Sequence, residues 1–119
     1  MNILSKRLFS FAIRVIKFLR LLPNTVEFNI VKNQLIRSST SPGANYQEAQ
    51  GAISRADFHY KIKIALKEMR ESNYWLEIIR SISEIDENKI TELNYLSNES
   101  IELMNILGSI SYKTRKNKV

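Results

Sequence analysis

Only one histidine and no cysteine occur among the 119 residues. The side chains that most often bind transition metals or act as nucleophiles are therefore nearly absent. A single His59 cannot build a His-based metal site, which needs several converging ligands. A di-metal carboxylate bundle would place Glu-x-x-His pairs on two helices, yet the residue three before His59 is Ala56. Catalysis requires a nucleophile, a base and an orienting group in fixed geometry, and no such set is apparent. His59 reads as an ordinary, partly exposed residue in the first turn of a helix. Glu68 and Glu71 come nearest to paired carboxylates, but their three-residue spacing on a Lys/Glu-rich helix reads as solvated surface. The expectation is a non-enzyme with no catalytic residues, no metal and no cofactor.

Two other sets can bind without reacting. Arg37, Asn45, Glu48 and Glu68 lie near a run of small residues, Ser38 to Ala44, and have two readings. One is a ligand or nucleic-acid pocket. The other, which we favour, is a structural polar seam in which Arg37 pairs with a carboxylate and Asn45 ties one helix to the next backbone, because buried charges need partners. The second set is basic: Lys6, Arg7, Arg14, Lys17, Arg20 and Arg55, with Lys113, Arg115, Lys116 and Lys118 near the C-terminus. No recognition motif accompanies it, so binding to RNA or DNA would be to the phosphate backbone and sensitive to salt. The alternative is a solvated basic face. Tyr74-Trp75 reads as core or subunit interface before it reads as a base-stacking pair.

Helices must position these residues. Leu4, Leu8, Phe11, Val15, Phe18 and Leu22 follow 4-3 spacing, predicting a helix over 3–22 that Pro23 ends. Phe9, Ile13 and Ile16 lie away from that stripe. A helix apolar on two sides buries both, so the second side calls for a partner: another subunit, which we favour, or a lipid surface. A second helix starts at the N-cap Thr25, carries Phe28, Val31 and Leu35 inward, and reaches about Ile53 with a kink or short break at Pro42. A third, capped by Asp57, keeps Phe58, Ile62, Ala65, Met69, Ser72, Leu76 and Ile79 in register to about Ser83, with a Lys67–Glu71 surface pair. A fourth runs from about Lys89 to Tyr112 with Ile90, Leu93, Ile101, Met104, Leu107 and Ile110 inside. The fold expected is all-α: an antiparallel up-down-up-down four-helix bundle over 1–112, with a fraying basic tail at 113–119.

Charge is segregated along the chain. Residues 1–67 hold 11 Lys/Arg against 3 acids, 68–112 hold 3 against 9, and 113–119 add 4 basic residues, giving +6 overall. That asymmetry steers polyanions or pairs helices or subunits with one another. Positions 3–22 resemble a transit peptide in composition, but Arg14, Lys17 and Arg20 interrupt any membrane span. The protein reads as cytoplasmic, without a membrane partner.

The order of residues along the chain adds a resemblance. Gln34-Leu35, Arg37-Ser38, Thr40-Ser41, Gly43-Ala44-Asn45, Glu48-Ala49, Ala56-Asp57-Phe58, Ala65-Leu66-Lys67-Glu68 and Tyr74-Trp75-Leu76, with Phe11-Ala12-Ile13, Glu102-Leu103 and Ile106-Leu107, resemble the four-helix-bundle proteins encoded in intervening sequences of bacterial large-subunit ribosomal RNA genes. The resemblance implies a cyclic homo-oligomer, typically a pentamer, with no established biochemical activity. Phe9, Ile13, Ile16 and Trp75 are the candidate interface residues. A similar fold serves as the accessory protein of diversity-generating retroelements, which implies nucleic acid and a reverse transcriptase as partners by analogy only. Pro42 departs from the pattern, which usually has a branched aliphatic residue after the Thr-Ser step.

Overall fold

The computed structural model describes residues 1–84 and 86–116, the side chain of Lys116 excepted. Four helices account for nearly all of it: α1 (Ile3–Leu19), α2 (Val26–Gln50), α3 (Arg55–Ile82) and α4 (Glu87–Lys116), with no strand among the described residues. Each start is marked by a side-chain acceptor. Asn2 Oδ1 accepts from Ser5 N–H at 2.8 Å, Thr25 Oγ1 from Phe28 at 3.3 Å, Ser54 Oγ from Asp57 at 3.0 Å and Asp86 Oδ1 from Lys89 at 3.0 Å. Each bond satisfies one N–H that a helix start leaves unpaired.

Ser54, not Asp57, caps α3. Asp57 sits three residues further on and its carboxylate accepts from Ile53 N–H at 3.3 Å. This pair of bonds is a variant of the capping box, with the carboxylate reaching the residue before the cap, and starts the helix earlier than Asp57 alone would. At the other end of the bundle, α1 stops at Leu19 rather than Leu22. Leu21 and Leu22 donate instead to Phe18 and Leu19 carbonyls at 3.0 and 3.2 Å, a tighter turn ahead of Pro23. α4 stays helical to Lys116, four residues into the segment expected to fray.

α2 passes through Pro42 without the expected break. An interior proline costs a helix about 3 kcal/mol, but here its ring is buried and packing on a 25-residue helix offsets the loss. Nearby hydroxyls bond back to carbonyls of the preceding turn, with Thr40 Oγ1 on Ile36 O at 2.8 Å.

The register is antiparallel. Arg7 of α1 meets Glu99 of α4, and Arg14 meets Glu92, so an advance along α1 is matched by an equal retreat along α4. α2 and α3 share the most extensive contact, whereas the diagonal pairs α1–α3 and α2–α4 bring no Cα atoms of described residues within 8 Å. The four helices thus form a closed ring of neighbours, 49 Å long and 23 Å across. Its core takes the expected stripes of α1 and α3. In α4 the inward set is Leu93, Leu96, Ser100, Leu103 and Leu107; Ile101, expected inside, is 45% exposed. Ser100 holds the inward position, bonded by Asn73 Nδ2 at 2.9 Å.

Small buried residues bring α2 and α3 together. Ser38 and Ser72 are fully buried, with hydroxyl oxygens 3.0 Å apart. A longer side chain at either position would force the two helices apart.

Two substitutions check this packing in urea unfolding. Ser72→Leu overfills the seam and lowers stability by about 1–3 kcal/mol. Gly108→Ala raises it by about 0.5–1 kcal/mol, since glycine is costly inside a helix and an added Cβ there meets nothing within 4 Å.

Candidate functional site

Two of the expected basic residues, Arg7 and Arg14, are neutralised within the subunit. Arg7 donates through Nε and Nη2 to Glu99 at 3.0 and 2.6 Å and through Nη2 to Glu102 at 3.3 Å. Arg14 grips Glu92 in the same two-pronged way, at 3.0 and 2.6 Å, and its guanidinium lies 3.6 Å from the centre of the Tyr95 ring. Donating to the Glu99 and Glu92 carboxylates pushes both guanidinium pKa values further up. Two-pronged arginine–carboxylate pairs are geometrically specific, so the basic first helix and the acidic fourth are complementary faces of one joint. Lys6, Lys17 and Arg20 are exposed and make no ion pair with a described residue. Arg55 is exposed at the start of α3, far along the chain from these lysines. Lys113 and Arg115 are exposed on the last turns of α4, with the Arg115 guanidinium 5.9 Å from the Tyr112 ring centre. Lys118 and the side chain of Lys116 lie outside the described residues.

In the polar seam, Arg37, Asn45, Glu48 and Glu68 are each bonded within the subunit. Arg37 Nη1 donates to Glu68 Oε2 at 2.7 Å and its Nη2 to Glu71, which also accepts from Trp75 Nε1 at 3.0 Å. Glu68 is buried and Glu71 half-buried, so these two carboxylates hold one arginine rather than lining solvent. The expected Lys67–Glu71 pair does not form, because Arg37 and Trp75 occupy Glu71. Asn45 does not reach the next helix; its amide donates to Ser41 O and Oγ, both at 3.0 Å, within α2. Glu48 accepts from Lys61 at 2.8 Å across to α3, which raises the lysine pKa. His59 is buried, contrary to expectation, on the side of α3 that borders α4.

The second apolar side of α1 stands open. Phe9 is 55% exposed and Ile13 38%, with Ile16 half-buried. Beside them Gly43 and Ala44 of α2 complete an apolar groove of about 460 Å³. Trp75 is not part of this face. It packs on the core from α3 and does not line the groove, with the Tyr74 ring edge-on at 5.0 Å.

One cationic face is visible only in the folded chain. Tyr60, Lys63, Lys67 and Arg70 follow one stripe of α3 and border two adjoining hollows against α4, of about 230 and 400 Å³. Gly108, Tyr112 and Arg115 line the α4 side. The i, i+3, i+7, i+10 spacing is present in the sequence, but a charge count divided at residue 67 cuts the stripe in two. Among the described residues no three His, Cys, Asp or Glu groups converge as a metal site requires. No helix among them is long and apolar enough to cross a membrane.

Replacing Arg37 by Ala leaves buried Glu68 without its cation. Half-exposure of the arginine moderates the loss, and a urea midpoint equivalent to about 1–2 kcal/mol lower is expected.

Residues 2–107 match the family model described as 23S rRNA-intervening sequence protein. Among solved structures, a protein of unknown function from Bacteroides thetaiotaomicron, assigned to the S23 ribosomal protein family, is 36% identical. The two superpose with a TM-score of 0.77 over 92% of this chain and 98% of that one. No curated protein matches.

Proposed function

The chain belongs to the 23S rRNA-intervening sequence protein family, and from that premise we propose that it works without catalysis, as a homo-oligomeric scaffold that holds RNA or DNA electrostatically. The observation that carries the assembly is the unpartnered side of α1. Phe9, Ile13 and Ile16 beside Gly43 and Ala44 form a contiguous apolar groove of the kind that marks an interaction surface. A second copy covers it in a ring, with a pentamer as the preferred closure. Closed cyclic symmetry is the common way to bury one heterologous patch per subunit.

Nucleic-acid binding is supported by the cations left after internal pairing, Lys6, Lys17 and Arg20 on α1 and those near the end of α4. Ring assembly repeats each patch, so weak contacts add up. Protein partners, a reverse transcriptase among them, would then meet a preassembled ring. Within the cell the scaffold is assigned to the cytoplasm.

A second reading has its own observation. The pairs Arg7–Glu99 and Arg14–Glu92 absorb charge inside the subunit, which favours a purely structural or protein-binding module.

Light scattering during size-exclusion chromatography tests the assembly: the parent elutes as a closed oligomer, and Phe9→Glu with Ile13→Glu elutes as a folded monomer. A parent that stays monomeric at high concentration removes the assembly reading. For binding, Lys6→Glu, Lys17→Glu and Arg20→Glu together weaken anisotropy-detected binding and flatten its salt dependence by up to about 0.9 for each phosphate no longer neutralised. A parent that binds neither RNA nor DNA at low salt leaves the structural module.

A further inference from the structure

We propose that the channel between α3 and α4 seats single-stranded nucleic acid, with Tyr60 and Tyr112 as stacking surfaces and Lys63, Lys67, Arg70 and Arg115 as phosphate partners. The inference rests on the electrostatic nucleic-acid reading above and narrows it to one face and one form of strand.

The channel is continuous, because its two hollows share Lys63 and Arg70 on their border. Along α3 the stripe from Tyr60 to Arg70 spans about 15 Å at 1.5 Å per residue, enough for several nucleotides of an extended backbone. No acidic residue borders either hollow. Lys63, Lys67 and Arg70 make no ion pair with a described residue, whereas Arg7, Arg14, Arg37 and Lys61 are each held by a carboxylate. These charges are thus available to a ligand that brings its own anions.

The tyrosines separate this face from a plain basic patch. Tyr60 is 61% exposed and Tyr112 57%, one on each wall. Arg115 lies 5.9 Å from the Tyr112 ring centre, placing a cation beside an aromatic face. Interleaved cations and exposed aromatics are the pattern by which proteins hold single strands, since every base has a face to stack. Duplex bases are already stacked on one another and offer no such face in this channel.

Gly108 adds an independent observation. It sits inside α4, where glycine is unfavourable, yet nothing lies within 4 Å of the Cβ it lacks. Packing within the subunit does not demand a glycine there. Its absence of side chain instead leaves the channel wall open for a ligand to approach backbone.

Anisotropy of a labelled mixed-sequence single-stranded RNA, and of its duplex, tests the proposal with the full chain at low salt. Tyr60→Leu with Tyr112→Leu is expected to weaken single-strand binding at least tenfold, stacking being worth ~1–3 kcal/mol per base, and to leave duplex binding unchanged. Gly108→Leu weakens the single strand likewise, with helical circular dichroism and oligomer size retained. Lys63→Ala with Arg70→Ala weakens both forms and flattens the salt dependence. Parental single-strand affinity in the double-tyrosine variant overturns the proposal, as does a parent that prefers duplex. If loss of binding follows only the Lys6, Lys17 and Arg20 reversals, the channel is refuted while the wider reading stands. If the parent binds neither form, both fall.

Discussion

The close approach of α2 and α3 is the constraint on which the remaining geometry depends. Ser38 and Ser72 touch at the centre of that joint with both side chains fully buried, and Arg37 clips Glu68 and Glu71 at its edge. Small side chains lower the separation at which two helices can pack, and dispersion contacts made over that length are numerous. With α2 and α3 fixed, α1 lies against α2 and α4 against α3, and the bundle closes where α1 and α4 meet. That last joint relies on arginine–carboxylate pairs more than the others do.

Segregated charge acquires a structural meaning in this arrangement. The acidic residues Glu92, Glu99 and Glu102 of α4 face the basic α1, so much of the sequence-level asymmetry cancels inside one subunit. What remains positive is divided between the outer part of α1 and the α3–α4 channel. The apolar groove is lined by α1 and α2 and the channel by α3 and α4, so the two are separate surfaces.

The bundle was legible because its stripes are long and regular. Leu8, Phe11, Val15 and Phe18, and Ile62, Met69, Leu76 and Ile79, are all buried as their spacing requires. The exceptions share a cause: a local feature overruled by a partner distant in sequence. Pro42 signals a break, but tertiary packing holds the helix together through it. Asp57 is a fair cap by type, yet Ser54 takes the position, accepting from Asp57 N–H while the Asp57 carboxylate accepts from Ile53. Ile101 outranks Ser100 in hydropathy, but Asn73 satisfies the serine inside. Glu68 and His59 read as surface residues, and only Arg37 on another helix, or the packing of α4, buries them. The α3–α4 channel was hidden for the same reason, since its α4 wall lies far along the chain from its α3 wall.

The lone tryptophan has a practical meaning. Trp75 is half-buried on α3, and its indole N–H is bonded to the carboxylate that Arg37 also holds. Indole emission is sensitive to nearby charge and to water, so the protein carries an intrinsic fluorophore wired to the joint that organises it. Steady-state emission therefore follows the loosening of α2 from α3 without any dye, distinct from events at α1.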